Sequence, residues 1–174
     1  MDELDRISAE EFKSAVKLPV ILILDNIRSG LNVGSIFRSA DAFRILKIYC
    51  CGYTPSPPHR EVLKSALGAT ESVQWQSSLN TIDVVRDLRE KGISCYALEQ
   101  TQNSISITDF KPGKEKIIGL VLGNEVSGVD QQVINECDDA LEIDQYGTKH
   151  SLNVAVCAGI ALFSLNEKFL KRKK

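Results

Sequence analysis

The feature that most constrains the fold of this chain is a regular alternation of short apolar runs with longer segments of helical spacing. The runs at residues 20–24, 45–51 and 140–143 are apolar at most positions and have the length of a β-strand. Strands that are buried on both faces have this character, whereas a strand with one face in water alternates apolar and polar residues. Their alternation with helices predicts an α/β fold, in which a mostly parallel sheet has helices on both faces.

Capping and turn residues indicate where the predicted elements begin and end. Ser8 and Glu11 have the spacing of a capping box, Asn80 is suited to cap a helix that Gly92 ends, and Gly68 ends another helix. With no repeat or linker, the chain is predicted to form one domain over residues 1–174, with a short helical segment at 1–18. Strands are predicted at residues 20–24, 45–51, 73–76, 93–98, 116–122 and 140–143, helices at about 8–16, 33–43, 60–67, 80–91, 130–137 and from 152 onward, and a loop at 104–113.

Three loops rich in glycine and polar side chains accompany three of the predicted strands. They occupy residues 25–38, 120–128 and 143–153. Polar groups between two buried elements are not needed for packing, so they are expected to serve a ligand. Because ligands of open α/β sheets bind outside the carboxyl ends of the strands, the three loops predict one composite site.

Length and composition are those of an ordinary globular protein. The chain has 174 residues, of which 43% are hydrophobic and 25% are charged. No apolar stretch reaches the ~18 residues that a membrane span requires. The acidic N-terminus is also unlike a secretory signal. The sequence therefore predicts a cytoplasmic protein without a membrane span.

The cysteines and histidines argue against disulfides and against a metal site. Cys50, Cys51, Cys95, Cys137 and Cys157 are odd in number, form no C-x-x-C motif and lie in apolar or helical segments. Reduced, buried thiols are therefore expected. With only two histidines in the sequence, no metal is expected.

The net charge of −2 does not by itself favour binding to nucleic acid, which is driven by positive charge. The local distribution of charge matters more than the total. Basic residues gather around the polar loops and at the C-terminus, which predicts a basic face on a mildly acidic protein. They are Arg28, Arg38, Arg44 and Lys47 near the first loop, His59, Arg60 and Lys64 after it, Lys149 and His150 in the third loop, and residues 171–174.

Three common motifs of α/β enzymes are absent from the sequence. There is no G-x-G-x-x-G after the first strand, no G-x-x-x-x-G-K-[ST] and no G-x-S-x-G. Dinucleotide oxidoreductases, P-loop enzymes and α/β hydrolases therefore lose their usual sequence support. The motifs that are present are, in chain order, Asn32-x-Gly34-x-x-x-Arg38, then Leu120-x-x-Gly123-x-Glu125-x-x-Gly128, then Ile143 followed by Gly147 and Ser151-Leu152-Asn153-Val154.

These three motifs, in this order and at these separations, resemble those of the SpoU (TrmH-type) RNA 2′-O-ribose methyltransferases of the SPOUT class. The resemblance covers roughly residues 20–170. Two positions depart from the family pattern: Asp144 stands where proline is usual, and Arg44 stands where glycine is frequent. Neither change removes a polar group of a motif, although Asp144 is expected to alter the shape of the third loop.

The resemblance implies a deep trefoil knot at about residues 118–174, in which the second and third loops would form a slot for S-adenosylmethionine. Leu98, Gly123, Ile143 and Leu152 would line this cofactor, largely through main-chain groups. Ile143 and Leu152 are also suited to be core residues. Close approach of the backbone to a ligand would account for glycine at 123, 128 and 147.

The resemblance also implies which residues would act on an RNA ribose. Arg38 would bind the substrate phosphate and stabilise the forming 2′-alkoxide. A role as general base is the alternative, which a guanidinium pKa above ~12 disfavours. Asn32 would orient Arg38 or the ribose, or else form an Asx turn. Glu125, expected beside Arg38, would stay ionised and organise the loops. Ser151 and Asn153 would act near the substrate, and their place at a helix start also suits an N-cap.

The leading hypothesis is therefore an S-adenosylmethionine-dependent RNA ribose 2′-O-methyltransferase. tRNA is favoured over rRNA because the chain lacks the long N-terminal domain of many rRNA-directed relatives. One alternative is a non-catalytic RNA-binding or assembly protein of the same fold. Another is an ordinary nucleotide-binding α/β enzyme, for which the phosphate loop is missing. A homodimer is expected as well, because the final helix is apolar on nearly every face and a partner molecule could cover its outer side.

Overall fold

The computed structural model describes residues 9–113, 117–149 and 151–171. The strands are β1 (Leu18–Asp25), β2 (Ile45–Cys51), β3 (Trp75–Ser78), β4 (Ser94–Leu98), β5 (Ile105–Ser106), β6 (Ile118–Leu122) and β7 (Asp139–Glu142). The helices are α1 (Ala9–Ser14), α2 (Gly30–Ala42), α3 (Arg60–Ala66), α4 (Ala69–Ser72), α5 (Thr81–Glu90), α6 (Gln131–Glu136) and α7 (Val154–Lys171). The seven strands form one sheet in the order β3-β2-β1-β6-β4-β7-β5, and every neighbouring pair is parallel.

Helices cover both faces of the sheet, as predicted. On β1, Val20, Leu22 and Leu24 belong to a core shared with α2, α3 and α7, whereas Ile21 and Ile23 belong to a core shared with α5 and α6. Successive side chains of a strand point to opposite faces, so burial on both faces explains the continuously apolar strands. The predicted parallel, doubly covered sheet is confirmed, and the knot at 118–174 stays an implication of the family resemblance.

Two short elements lie where the sequence pattern indicates none. The four residues of α4 follow Leu67 and Gly68, which have φ values of +49° and +89°. The two residues of β5 lie within the predicted loop at 104–113. Neither element is long enough to show a periodic pattern, which is why the sequence does not reveal them. Ser8 of the expected capping box lies outside the described residues.

The first polar loop is shorter than predicted, because α2 begins at Gly30. Ser29 is its N-cap, and the Ser29 side chain accepts a hydrogen bond from the main-chain N–H of Asn32 at 3.3 Å. Asn32 therefore lies in the first turn of a helix, and the alternative of an Asx turn in a loop is wrong. The first residue of a helix is set by such local capping hydrogen bonds, which the spacing of apolar residues does not predict.

Gly34, the glycine of the first motif, is required where α2 crosses α3. A Cβ atom on Gly34 would lie 2.1 Å from the Ser65 hydroxyl and 2.4 Å from the main-chain oxygen of Val62. Real side chains do not pack this closely, so any larger residue would push the two helices apart. This motif position therefore serves the packing that holds α2, and with it Asn32, in place.

Arg44 takes the left-handed conformation just after α2. Its φ is +50°, a conformation that glycine adopts more readily than a residue with a side chain, as the family resemblance would lead one to expect at this position. Its main-chain oxygen accepts a hydrogen bond from Leu18 N at 2.9 Å, so Arg44 lies at the amino ends of β1 and β2. Arg28 follows the carboxyl end of β1. The expected basic cluster of Arg28 and Arg44 around the first loop is therefore wrong, because α2 carries the chain from the carboxyl ends of the strands to their amino ends.

All five cysteines are free thiols. Cys50, Cys51 and Cys95 are buried as expected, whereas Cys137 and Cys157 are partly exposed. Burial raises the pKa of Cys50, Cys51, Cys95 and Cys137 to about 12, so these thiols stay protonated at neutral pH. Within the described ranges, no helix is both long and apolar enough to cross a membrane.

Candidate active site

A cleft of about 1060 Å³ opens where β6, β4 and β7 end, between the second and third polar loops. Leu98, Gly123, Ile143 and Leu152, the residues expected at a cofactor, all line it, and so does Ser151. These residues are far apart in sequence and are brought together because β6, β4 and β7 are neighbours in the sheet. The cleft thus lies outside the carboxyl ends of parallel strands, where such folds bind ligands.

The lining of this cleft is acidic. Arg89 partly neutralises one of the acidic groups through an ion pair with Asp138. Among the described residues that line the cleft there is no lysine, arginine or histidine. This charge suits a cationic ligand better than a phosphate group. The carboxylate side chains in the lining are those of Glu99, Glu125, Asp138, Asp139 and Glu142.

The second polar loop is folded back on itself around two glycines. Asn124 and Gly128 exchange two main-chain hydrogen bonds, of 2.9 and 3.0 Å. A Cβ on Gly123 would lie 2.2 Å from the carbonyl carbon of Gly128 and 2.2 Å from Val129 N, and Gly128 has a φ of +71°. Packing of the loop itself therefore requires glycine at 123 and 128. Gly147 differs, since a Cβ there would meet nothing within 4 Å.

Glu125 joins this second loop to the start of α2. One carboxylate oxygen accepts a hydrogen bond from Arg28 N at 2.9 Å, and the other accepts from Ser29 N at 3.0 Å and from the Asn32 side-chain amide at 2.9 Å. The side-chain oxygen of Asn32 in turn accepts a hydrogen bond from the Asn153 side-chain amide at 3.1 Å. Three residues expected at the catalytic site, one from each motif, therefore form one hydrogen-bonded chain.

The pKa of Glu125 is lowered by these contacts. Burial tends to raise the pKa of the carboxyl group, but the hydrogen bonds from Arg28 N–H, the Asn32 side chain and Ser29 N–H outweigh that effect. Glu125 is therefore ionised at neutral pH. Its partners are main-chain amides and an asparagine, so the expectation that it lies beside Arg38 is wrong.

Arg38 is not part of the hydrogen-bonded chain. It lies six residues after Asn32 on α2, about 9 Å further along the helix axis and on a different face. Its side chain is exposed and, within the described part of the chain, makes no hydrogen bond or ion pair. The periodicity of the helix is the reason, because a spacing of six turns the side chain away from Asn32.

Asn153 has two structural roles. Its side-chain oxygen accepts hydrogen bonds from Ala155 N at 2.9 Å and from Val156 N at 3.3 Å, which caps the start of α7. Its amide group donates to Asn32. Ser151 is exposed and lines the cleft. His150, which was included in the predicted basic face, lies outside the described residues.

Two polar residues that the sequence pattern does not single out support the loops. Asp25, at the end of β1, is 2% exposed; its carboxylate accepts hydrogen bonds from the Thr81 hydroxyl at 2.5 Å and from Asp130 N at 3.2 Å. Asn124, 7% exposed, donates to the main-chain oxygen of Asn26 at 2.7 Å. The sequence signal for both residues is a polar side chain at or just after the end of an apolar strand. Their hydrogen-bond partners, which are distant in sequence, depend on the order of the strands in the sheet.

Asp144 is anchored at the start of the third loop. Its carboxylate accepts a hydrogen bond from the Ser106 hydroxyl at 2.6 Å, and that hydroxyl lies 2.8 Å from the Thr108 hydroxyl. Proline would restrict the loop through its ring, whereas Asp144 ties it to the end of β5 through a side-chain hydrogen bond. Asp144, which departs from the family pattern, thus fixes the start of the third loop by a hydrogen bond of its own.

Comparison with known proteins identifies the family. The sequence model of the SpoU rRNA methylase family matches residues 19–163. The chain belongs to this family.

Relatives in the SpoU family give the extent of the similarity. The chain is 30% identical over 157 residues to the 23S rRNA (guanosine-2′-O-)-methyltransferase RlmB of Neisseria meningitidis, covering 90% of this chain and 62% of that protein. The AdoMet-bound rRNA methyltransferase of Sinorhizobium meliloti has a TM-score of 0.80 at 27% identity, over 90% of this chain and 59% of the other. The A. aeolicus TrmH/SpoU tRNA modifying enzyme, at 21% identity and a TM-score of 0.83 over 95% of this chain and 84% of the other, shares the fold. The chain spans about three fifths of the length of the curated relatives it matches.

Proposed function

We propose that this protein is an S-adenosylmethionine-dependent methyltransferase that modifies the ribose 2′-hydroxyl of a nucleotide in RNA. The observation that carries the proposal is the acidic cleft beside the hydrogen-bonded chain of Glu125, Asn32 and Asn153. A cleft suited to a cationic ligand adjoins polar groups from all three motifs. Membership of the SpoU family supports the same reaction. The cytoplasmic location expected from the sequence remains part of the proposal.

The cleft fits S-adenosylmethionine in size, charge and lining. Its volume of about 1060 Å³ lies near the upper end of the ordinary range for small-molecule sites. The acidic lining suits a sulfonium cation and disfavours the phosphates of a nucleotide triphosphate, which argues against an ordinary nucleotide-binding enzyme. Leu98, Gly123, Ile143 and Leu152 would hold the cofactor. When bound, it supplies a methyl group activated for transfer to an oxygen nucleophile.

Arg38 is proposed to bind and polarise the RNA. A ribose hydroxyl is a poor nucleophile, so the site must orient it and stabilise the charge that develops on oxygen. Arg38 is exposed, and its guanidinium is free to meet a phosphate that arrives from solution. Because the guanidinium stays protonated, we assign it an electrostatic role, with the proton leaving to phosphate or water.

The remaining motif residues are proposed to position the ribose. Asn32 is held between Glu125 and Asn153, so its orientation is fixed before substrate binds. The Glu125 carboxylate accepts three hydrogen bonds, which suits a residue that holds the loops together better than a general base. Ser151 lines the cleft next to Leu152 and is available to the substrate.

The RNA target is proposed only as a class. The expected preference for tRNA was drawn from the length of the chain, whereas the Neisseria relative is named for 23S rRNA. Both RNAs are therefore candidate substrates. A non-catalytic RNA-binding protein of this fold is the alternative, and it would have no need to retain Asn32, Arg38, Glu125, Ser151 and Asn153 together.

The function is tested by ligand binding followed by methyl transfer. Calorimetric titration should show binding of S-adenosylmethionine and none of ATP, because of the acidic cleft. Transfer of a labelled methyl group to tRNA and to rRNA from cells lacking the gene, followed by mapping of ribose methylation, then identifies the target. Binding of ATP in preference to S-adenosylmethionine would support the nucleotide-binding alternative. Cofactor binding without transfer to either RNA would support the non-catalytic one.

We further propose that the protein acts as a homodimer through α7. Ala158, Ala161, Leu162 and Leu165 are buried in the core that α7 shares with α2 and one face of the sheet. The outer face of the same helix exposes Val156 (49%), Ile160 (38%), Phe163 (59%) and Leu170 (52%), which recur at helical spacing. An exposed apolar stripe of this kind is typical of an interface, and a second copy of the chain is the proposed partner.

Sedimentation at micromolar concentration tests the dimer. The wild-type protein should sediment as a dimer, and Phe163→Glu should shift it toward monomer because a charge replaces an apolar contact. Leu79→Glu, at a position that is 97% exposed outside α7, is the matched control and should leave the dimer unchanged. A wild-type protein that is monomeric and methylates RNA at full rate would exclude the proposal.

A further inference from the structure

The loop after β2 presents an aromatic ring that the proposed chemistry does not use. Tyr53 is 62% exposed, and it belongs to neither of the two hydrophobic cores. Because β2 lies beside β1 in the sheet, this loop adjoins the segment from Asn26 to Ser29. That segment carries the main-chain groups that Glu125 binds.

The position of Tyr53 is fixed by its neighbours. Its main-chain N–H donates to the Asn26 side-chain oxygen at 3.3 Å. The next residue, Thr54, is buried; its hydroxyl accepts from Ile27 N at 3.0 Å and donates to Leu24 O at 3.1 Å. The backbone on either side is therefore tied to the loop after β1, while the ring itself faces solvent. A side chain held in place before binding loses little conformational entropy when it meets a ligand.

A buried asparagine connects the ring to the second polar loop. The Tyr53 hydroxyl accepts a hydrogen bond from the Asn124 side-chain amide at 2.8 Å. The other end of that side chain accepts from Val126 N at 2.8 Å, and Val126 is itself 77% exposed. Glu125 lies between Asn124 and Val126 in the chain. The exposed ring of Tyr53 is thus tied to the loop that carries Glu125 and the exposed side chain of Val126.

We propose that Tyr53 is a stacking platform for an unpaired base of the RNA substrate. The proposal rests on the proposed function, because a ribose presented to Asn32 brings its own base and the neighbouring bases to the surrounding surface. Proteins bind unpaired bases of RNA mainly by stacking them on aromatic side chains. Arg28, exposed in the adjoining loop, adds a cation for the backbone of the same strand.

Binding of single-stranded RNA tests the proposal without methyl transfer. The probe is a labelled oligoadenylate containing 2-aminopurine, whose fluorescence is quenched when it stacks on a ring. Fluorescence anisotropy gives the affinity for wild-type protein and for Tyr53→Ala, Tyr53→Phe and Tyr53→Trp. Calorimetry with S-adenosylmethionine on each variant reports whether the cofactor cleft is intact.

Tyr53→Ala should weaken RNA binding about 5- to 100-fold, as removal of a stacked aromatic typically does, and should lose the quenching. Tyr53→Phe and Tyr53→Trp should bind within about twofold of wild type, since stacking needs the ring and not the hydroxyl. Affinity for S-adenosylmethionine should be unchanged in all three. Val16→Ala, which removes exposed apolar surface ahead of the amino end of β1, is the matched control and should bind RNA like the wild type.

Three outcomes overturn the proposal or separate it from the proposed function. Wild-type RNA affinity in Tyr53→Ala would overturn stacking, even if methyl transfer is confirmed. An equal loss in Tyr53→Phe and Tyr53→Ala would also overturn it, because the bond to Asn124 would then be the only contribution. A ring-dependent affinity in a protein that transfers no methyl group would support stacking and reject the proposed enzyme activity.

Discussion

Replacement of Gly123 by alanine tests how the second loop forms the cofactor cleft. The new Cβ would lie 2.2 Å from two main-chain atoms, whereas ordinary contact begins near 3.4 Å, so the loop must open by roughly 1 Å. That movement strains the paired hydrogen bonds of Asn124 and Gly128. Forcing an extra methyl group into a packed site costs about 1–3 kcal/mol. If the cofactor binds only the closed loop, its affinity should fall about 5- to 100-fold.

Calorimetric titration with S-adenosylmethionine and urea unfolding of the free protein measure the two effects of Gly123→Ala. Gly147→Ala is the matched control for stability, because a Cβ at 147 meets nothing within 4 Å, and its free energy of unfolding should equal that of the wild type. Wild-type stability and affinity in Gly123→Ala would refute the reasoning. A loss of stability with unchanged affinity would show that the loop is tightly packed but does not form the cofactor site.

Three further changes test other parts of the structure. Arg38→Ala should lower the rate of methyl transfer by about 10²–10³ with unchanged cofactor affinity, since its side chain is assigned to the RNA. The pKa of Glu125 is lower in the folded protein than in the unfolded chain. The ionised carboxylate therefore adds fully to the free energy of unfolding above the pKa of the unfolded chain, and this contribution is lost as the pH falls through the pKa of the folded protein. Glu125→Gln should therefore remove part of the acid dependence of unfolding. Arg44→Gly should raise the free energy of unfolding by about 1 kcal/mol, because Arg44 has a φ of +50°.

Arg86→Ala removes an exposed arginine paired with Glu136 on the opposite face of the sheet and should leave methyl transfer intact. Full activity in Arg38→Ala would reject its assignment. Identical pH profiles of urea unfolding for wild type and Glu125→Gln would show that the carboxylate does not stabilise the loops. A less stable Arg44→Gly would mean that the arginine side chain contributes more than its conformation costs.

Local properties of the sequence determined most of the elements. The limits of β2 follow from its apolar run, and the predicted cap at Asn80 is present, with its side chain accepting a hydrogen bond from Ile82 N at 2.9 Å. Burial of β1 on both faces explains why its residues are continuously apolar. These features depend on backbone and side-chain preferences within a few residues, so they can be predicted without knowledge of the tertiary structure.

The contacts that build the candidate site were decided only by the tertiary structure. Glu125 binds groups 93 to 97 residues away because β6 lies beside β1, and hydrophobic patterns do not specify that order. Gly123 was expected to let a ligand approach the backbone, yet the space beside it is filled by main-chain atoms of the second loop itself. Gly34 is likewise confined by atoms of α3, a contact that the motif does not reveal. The exposed ring of Tyr53 gave no sequence signal at all. Its place beside the Glu125 loop arises because parallel strands bring their carboxyl ends to one edge, whatever their distance along the chain.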